Sequence, residues 1–365
     1  MTTLSLLKRP PELEDPSIPD SIPPARSLAE QALSSVPVRA YSTSAHKQQS
    51  LAEKVALLQY SLRETPVVAL DEEGIRLHAK LEYTNPFGSL KDRPAFWMLK
   101  SAVLSGEVTE RTTLIESSSG NFANALSSYC QLLGLKFIPV IDPNIAGANE
   151  AYLRRICETV VKVEERDETG GYLKTRLNRV QELRSSLGDT YWPNQYGNPR
   201  VAEAHYRYTG EEICRAFKQL DYVFVGVSTG GTIAGVSQRL KERFPSVKVI
   251  AVDAQGSVIF GGPPKKRYIP GIGASMRADL VNRAIIDEVV SVPEVETVRA
   301  CRELLFRHGL LVGGSSGSCY AAVKSLLPRM RSLSSPPNVL FLCADKGGAY
   351  LDTVFNDQWC ARLEQ

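Results

Sequence analysis

From Pro66 onward one arrangement recurs: a short apolar run, a loop rich in glycine and serine, then a helix-length stretch, roughly ten to eighteen residues long. Two parallel strands can be joined only by a long crossover, and a helix is the usual one. The recurrence therefore restricts this chain to α/β architecture, with largely parallel sheets flanked by helices. Strands are expected at 66–70, 75–81, 112–115, 136–141, 160–163, 222–227, 247–252, 288–292 and 338–343, the second alternating Ile75, Leu77, Ala79 and Leu81 at period two. Helices are expected over 96–106 and 230–244. At 365 residues the length corresponds to about two domains, so two sheets fit better than one.

Residues 1–60 depart from this pattern. Arg9 to Pro24 is rich in proline and acids, a composition that resists packing, and the alanine- and serine-rich stretch after it carries scattered bases around Arg39. An N-terminal extension, partly disordered or accessory, is expected there. Its acidic leader argues against an import signal, since such signals avoid acids.

Charge and cysteine usage exclude several function classes. Lys and Arg number 43 against 40 Asp and Glu, a net charge of +3, too even for a nucleic-acid binder; the one short basic cluster is Lys265-Lys266-Arg267. The seven cysteines form no C-x-x-C pair and the four histidines stand at no metal-ligating spacing. No metal, a reducing compartment and a cytoplasmic location are expected. No run approaches the ~18 apolar residues of a membrane span.

The strongest chemical signal is Asn85 to Ala95, in which the Gly88-Ser89 turn places Lys91 at a helix entrance. The positive end of the helix dipole and partial burial both favour a neutral amine, which a Schiff-base lysine requires. Three small-residue loops surround this motif in sequence. Ser117 to Asn121 follows a strand and opens a helix, a geometry that can hold a carboxylate. Ser228 to Thr232 does the same and forms an anion nest suited to a phosphate, and Gly313 to Ser318 precedes a third helix. Each alone is an ordinary helix cap; the set is specific.

As a set these motifs resemble the β-family of pyridoxal-phosphate enzymes, fold type II, over about Glu64 to Asp357. Within the family, Lys80 to Tyr83, Tyr191 to Tyr196, Gly256 to Gly261 and Pro270 to Ser275 are similar to the diaminopropionate-forming branch of siderophore biosynthesis. Phe87 stands where that branch often has glycine. The resemblance implies a smaller substrate-side domain at 80–195, a larger cofactor-phosphate domain at 61–79 plus 196–365, and a homodimer. It implies that Lys91 carries pyridoxal 5′-phosphate as an internal aldimine and later acts as base. Asn121 would meet the ring hydroxyl, Ser228, Thr229, Gly230, Gly231 and Thr232 the phosphate, and Ser315 the ring nitrogen. Ser118, Ser119, Gly120 and Gln195 would hold the substrate carboxylate, and Gly271 and Gly273 would let the backbone approach the cofactor face. A hydroxyl at the ring nitrogen makes a weaker electron sink, which suits β-elimination over transamination.

The implied reaction is β-replacement on an activated L-serine through an α-aminoacrylate, with O-phospho-L-serine as donor and an amine such as L-glutamate as acceptor. Alternatives are sulfur transfer from O-acetylserine or serine to sulfide or homocysteine, a dehydratase, and a non-catalytic ligand-binding protein on the same fold. Anionic substrates call for cations at the mouth of the site. Arg154, Arg155 and the 265–267 cluster are the candidates.

Overall fold

A computed structural model of the chain describes residues 49–168 and 170–363. The stretch around Arg39 and most of the N-terminal extension lie outside the described residues. The chain enters through α1 (Leu51–Leu58), β1 (Val67–Leu70), β2 (Arg76–Leu81) and α2 (Asp92–Leu104). There follow β3 (Thr113–Ser117), α3 (Asn121–Leu133), β4 (Lys136–Ile141), α4 (Gly147–Ile156), β5 (Val161–Lys162), α5 (Leu173–Ser186) and β6 (Thr190–Tyr191). Next come α6 (Arg200–His205), a π-turn Tyr206–Gly210, α7 (Glu211–Ala216), β7 (Tyr222–Gly226), α8 (Gly231–Arg243), β8 (Lys248–Ala254) and β9 (Glu288–Val292). The last elements are α9 (Glu294–His308), α10 (Gly314–Arg331), β10 (Asn338–Cys343) and α11 (Asp357–Cys360).

Two sheets result, a six-stranded one ordered β1-β2-β10-β7-β8-β9 and a four-stranded one ordered β5-β4-β3-β6. Only β1 runs antiparallel to its neighbour. Helices cover both faces, so inner strands are apolar on both sides. In β10, Val339, Phe341 and Cys343 join one core cluster while Leu340 and Leu342 join another; in β7, Phe224 faces the first and Val223 and Val225 the second. Each such side chain contributes about 1.5–3 kcal/mol by leaving water.

All nine expected strands form, with ends shifted by a residue or two. The two-residue β6 had no sequence signal. The helix expected from Phe96 begins instead at Asp92, because Pro94 sits in the first turn, where no backbone donor is needed and its fixed φ suits the helix.

Residues 51–58, within the expected extension, form a helix that packs into the core. Leu51 and Val55 are buried against Ala95, Phe96 and Leu99, and a capping box closes its start, Ser50 Oγ accepting from Glu53 N (3.3 Å) and Glu53 Oε2 from Ser50 N (2.8 Å). Deleting residues 1–48 is expected to leave the denaturation midpoint unchanged, since the cap begins at Ser50. Deletion through Tyr60 is expected to lose several kcal/mol, at about 1.5–3 kcal/mol for each of the two buried side chains. Urea titration of both truncations distinguishes them; equal midpoints would remove α1 from the core.

Candidate active site

The loops that follow the carboxyl ends of β3, β7 and β10 line one cleft of about 570 Å³, the position where open parallel sheets bind ligands. Lys91 stands in its wall, immediately before α2. The turn that presents it is held from below: Asp92 accepts from Phe87 N (2.5 Å) and from Ser89 Oγ (3.3 Å), and Ser89 Oγ accepts from Lys91 N (3.2 Å). Burial lowers the Lys91 ammonium to about 8, the Asp345 carboxylate pulling the other way. Burial also lifts Asp92 to about 7, against the Phe87 and Ser89 hydrogen bonds.

Beneath α2 lies a buried ionic cluster. Arg93 Nε donates to Glu82 (2.7 Å) and Nη1 to Glu212 (2.6 Å), while Lys80 Nζ reaches Glu212 at 2.8 Å. Two cations oppose two carboxylates, and Thr65 Oγ1 adds a bond to Glu82 at 2.9 Å. Burial alone would raise Glu82; Arg93 and Lys80 outweigh it and hold it at about 2. The cluster ties β2, α2 and α7 together two residues beyond Lys91.

Ser118, Ser119, Gly120 and Asn121 line the cleft beside Gln195. Ser118 Oγ accepts from Ala123 N (3.3 Å), capping α3. Gln195 Nε2 donates to Ser117 O (3.0 Å), and its backbone N–H to Glu116 Oε2 (3.2 Å), so the buried Glu116, lifted to about 7 by burial, positions it. Asn194, at φ +56°, makes the bend into this segment.

Ser228, Thr229, Gly230 and Thr232 form the opposite wall at the start of α8, where backbone N–H groups lack helical partners. Gly230 sits at φ +83°, and a Cβ there would lie 2.6 Å from Val281 N, so only glycine fits. His205, buried, places Nε2 3.3 Å from Thr232 Oγ1 and Nδ1 3.1 Å from Thr209 Oγ1. Burial, with Lys91 adding to it, lowers this imidazole to about 3, so it is neutral. Ser315, near the start of α10, completes the floor with Cys319. Asn121 Nδ2 and Tyr350 OH both donate to the buried Asp345 Oδ2, at 2.7 and 2.8 Å.

Of the residues expected to form the site, all but two line this cleft. Gly231 lies behind the wall, where a Cβ would stand 2.2 Å from Val201 Cγ1. Gly273 is also behind it: its carbonyl accepts from Ser228 Oγ (3.1 Å) and its N–H donates to Val227 O (2.8 Å), so it braces the loop. Gly271 is on the wall.

The expected cations are misplaced. Arg154 pairs with Glu150 at 2.7 Å, Arg155 and Lys265 to Arg267 are absent from the lining, and Arg267 Nη1 donates to Ile272 O (3.1 Å). Besides Lys91, the wall carries Arg176 of α5, 3.1 Å from Asp142 and donating to Ser119 Oγ at 3.2 Å. Its signal was present in the sequence: Leu173, Arg176, Leu177 and Val180 share one helix face, an arginine on an otherwise apolar stripe. Asp142, Asp345 and Glu116 carried no such signal.

Residues 58–345 match the family model described as pyridoxal-phosphate dependent enzyme. The chain belongs to that family. N-(2-amino-2-carboxyethyl)-L-glutamate synthase of Ralstonia nicotianae is 42% identical over 304 residues, covering 82% of this chain and 89% of that protein. An O-acetylserine dependent cystathionine beta-synthase from Helicobacter pylori superposes with a TM-score of 0.75 at 29% identity, over 81% of this chain and 97% of that one. An O-ureido-L-serine synthase gives 0.76 at 26% identity, over 85% and 95%. The fold is therefore type II, and the chain is a pyridoxal-phosphate-dependent enzyme of β-replacement. The cleft fits that cofactor: a partly neutral lysine suits an aldehyde, and hydroxyls and N–H groups at a helix start, around a glycine that no Cβ could replace, suit a phosphate. No helix among the described residues is long and apolar enough to cross a membrane.

Proposed function

We propose that this enzyme joins O-phospho-L-serine to L-glutamate, giving N-(2-amino-2-carboxyethyl)-L-glutamate and phosphate. The observation that carries the donor assignment is Arg176: beside the Ser118–Asn121 loop it brings a guanidinium, shared with Asp142, into the cleft wall, and its remaining N–H donors suit a phosphorylated leaving group. The similarity to the Ralstonia synthase supports the acceptor.

Pyridoxal phosphate, when bound, supplies an electron-withdrawing ring that acidifies the α-carbon of an amino acid attached to it. Lys91 would be its attachment point and, freed by the incoming amino acid, the base for the α-proton. With the ammonium lowered to about 8, roughly a tenth is neutral at pH 7, against less than about a thousandth for an ordinary lysine. Ser118, Ser119 and Gln195 hold the substrate carboxylate through hydroxyl and amide donors. Asn121, anchored on Asp345, would meet the ring hydroxyl, and Ser315 would meet the ring nitrogen. Ser228, Thr229, Gly230 and Thr232 would hold the cofactor phosphate. His205 contacts Thr232 Oγ1 through Nε2 and Thr209 Oγ1 through Nδ1; in the tautomer with its proton on Nε2 it would donate to Thr232 and leave the Thr232 proton for the phosphate. In the net reaction the β-carbon–oxygen bond breaks with its electron pair leaving on phosphate. The acceptor nitrogen bonds that carbon and loses one proton, and the α-proton returns to the α-carbon. Residues 80–195 would serve as the substrate-side lobe and 61–79 plus 196–365 as the cofactor lobe, and two copies would pair as a dimer.

Arg176→Gln is expected to raise KM for O-phospho-L-serine more than about tenfold, as loss of a charge-assisted contact does, and to change O-acetylserine kinetics much less. Mass spectrometry of products from each donor with glutamate or sulfide tests the whole reading. Rapid cysteine formation from O-acetylserine, with O-phospho-L-serine inert, would replace it with the sulfur-transfer alternative.

A further inference from the structure

A second cavity of about 180 Å³ adjoins the cleft and shares Tyr196, Ser228 and Thr229 with it. Leu173 and Leu177 of α5 form one side and Met276 and Arg277 another. The same helix thus turns Arg176 toward the large cleft and two leucines toward the small one. We infer that the small cavity is the subsite for the second substrate, and that Arg277 holds the side-chain carboxylate of an amino-acid acceptor whose amine reaches past Tyr196 to the reacting carbon. This rests on the reaction proposed above.

Three features carry it. An acceptor must lie against the donor while its far end sits elsewhere, and this cavity is room that meets the cleft along Tyr196, next to the donor-holding Gln195, and along Ser228 and Thr229. Arg277 is held in one orientation by neutral partners: Nη1 donates to Ile259 O (2.7 Å), Nε and Nη2 to Asn282 Oδ1 (3.1 and 2.9 Å), and its Cζ lies 5.6 Å from the Phe260 ring centre. Those bonds use three of five N–H donors and none of the charge, whereas Arg176 is opposed by Asp142 and Arg154 by Glu150. The lining then matches an acyclic side chain ending in a carboxylate, methylenes against Leu173, Leu177 and Met276 and the carboxylate on the guanidinium.

The test uses the full-length holoenzyme with O-phospho-L-serine saturating and L-glutamate or L-glutamine varied. Arg277→Gln is expected to raise glutamate KM about tenfold or more, the factor carried by one charge-assisted hydrogen bond. Donor KM and the acceptor-free burst of phosphate should stay within about twofold, because those steps do not use the subsite. The preference for glutamate over glutamine in kcat/KM should fall toward one, and Arg277→Lys, which keeps the charge, should recover part of it. Unchanged glutamate KM and preference, in an enzyme whose wild type uses glutamate, would overturn the subsite and leave the reaction standing. Parallel loss of donor and acceptor kinetics with weakened cofactor absorbance, in both variants, would also overturn it by assigning Arg277 to the fold. A wild type that rejects glutamate and consumes sulfide fails earlier, at the reaction itself, before any variant is made.

Discussion

Lys91→Ala is expected to lower turnover by more than about 10³-fold, because one side chain supplies both the cofactor attachment and the base, and a positioned base alone contributes about 10²–10⁴. The visible absorbance of the attached cofactor should vanish from the purified protein. The fold should survive: the turn is held by Asp92 and Ser89 through backbone and side-chain atoms that alanine leaves in place. Lys91→Arg should be equally inactive, since guanidinium stays charged at every working pH. The wild type should gain rate as pH rises toward about 8, the direction in which the amine becomes neutral. Steady-state assays with absorbance and circular dichroism decide the matter; near-normal turnover in either variant would move the attachment point elsewhere.

Arg93→Met is expected to cost about 3–5 kcal/mol, among the largest single-site losses available in this chain, because removing one member of a buried ion cluster leaves a charge without its partner. Arg93 is fully buried and bonds both Glu82 and Glu212; without it Lys80 alone faces two carboxylates. Glu82, now held at about 2 by Arg93 and Lys80, would be pushed upward by its burial. Replacing all four residues by apolar ones of similar volume should cost far less, since desolvating four charges roughly cancels their mutual attraction. Urea denaturation of the single and fourfold variants measures both. A single-variant loss below about 1 kcal/mol would mean that water enters the cluster and solvates it.

Much of this architecture is legible in the sequence alone. Short apolar runs set the strands, because a strand buried on both faces must be apolar whatever its neighbour, and the small-residue loops after Thr113–Ser117 and Tyr222–Gly226 marked where the cleft opens. Lys91 was legible for a related reason: its turn, its helix entrance and its chemistry are all local. The short β6 and the core role of Leu51 and Val55 were not, since two residues carry no periodicity and an eight-residue helix acquires its buried face only from what it meets.

The sites that escaped are those whose partners lie far along the chain. Asn121 meets Asp345 across 224 positions, Arg176 meets Ser119 across 57, and Arg93 meets Glu212 across 119. Local patterning settles which residues leave water and which loops bend, because those free energies depend on a residue and its near neighbours. Which cation faces the cleft and which is spent on a surface pair depends on distances between segments that only folding brings together. Arg176 and Arg154 are alike as letters; packing sends one into the site and leaves the other on Glu150.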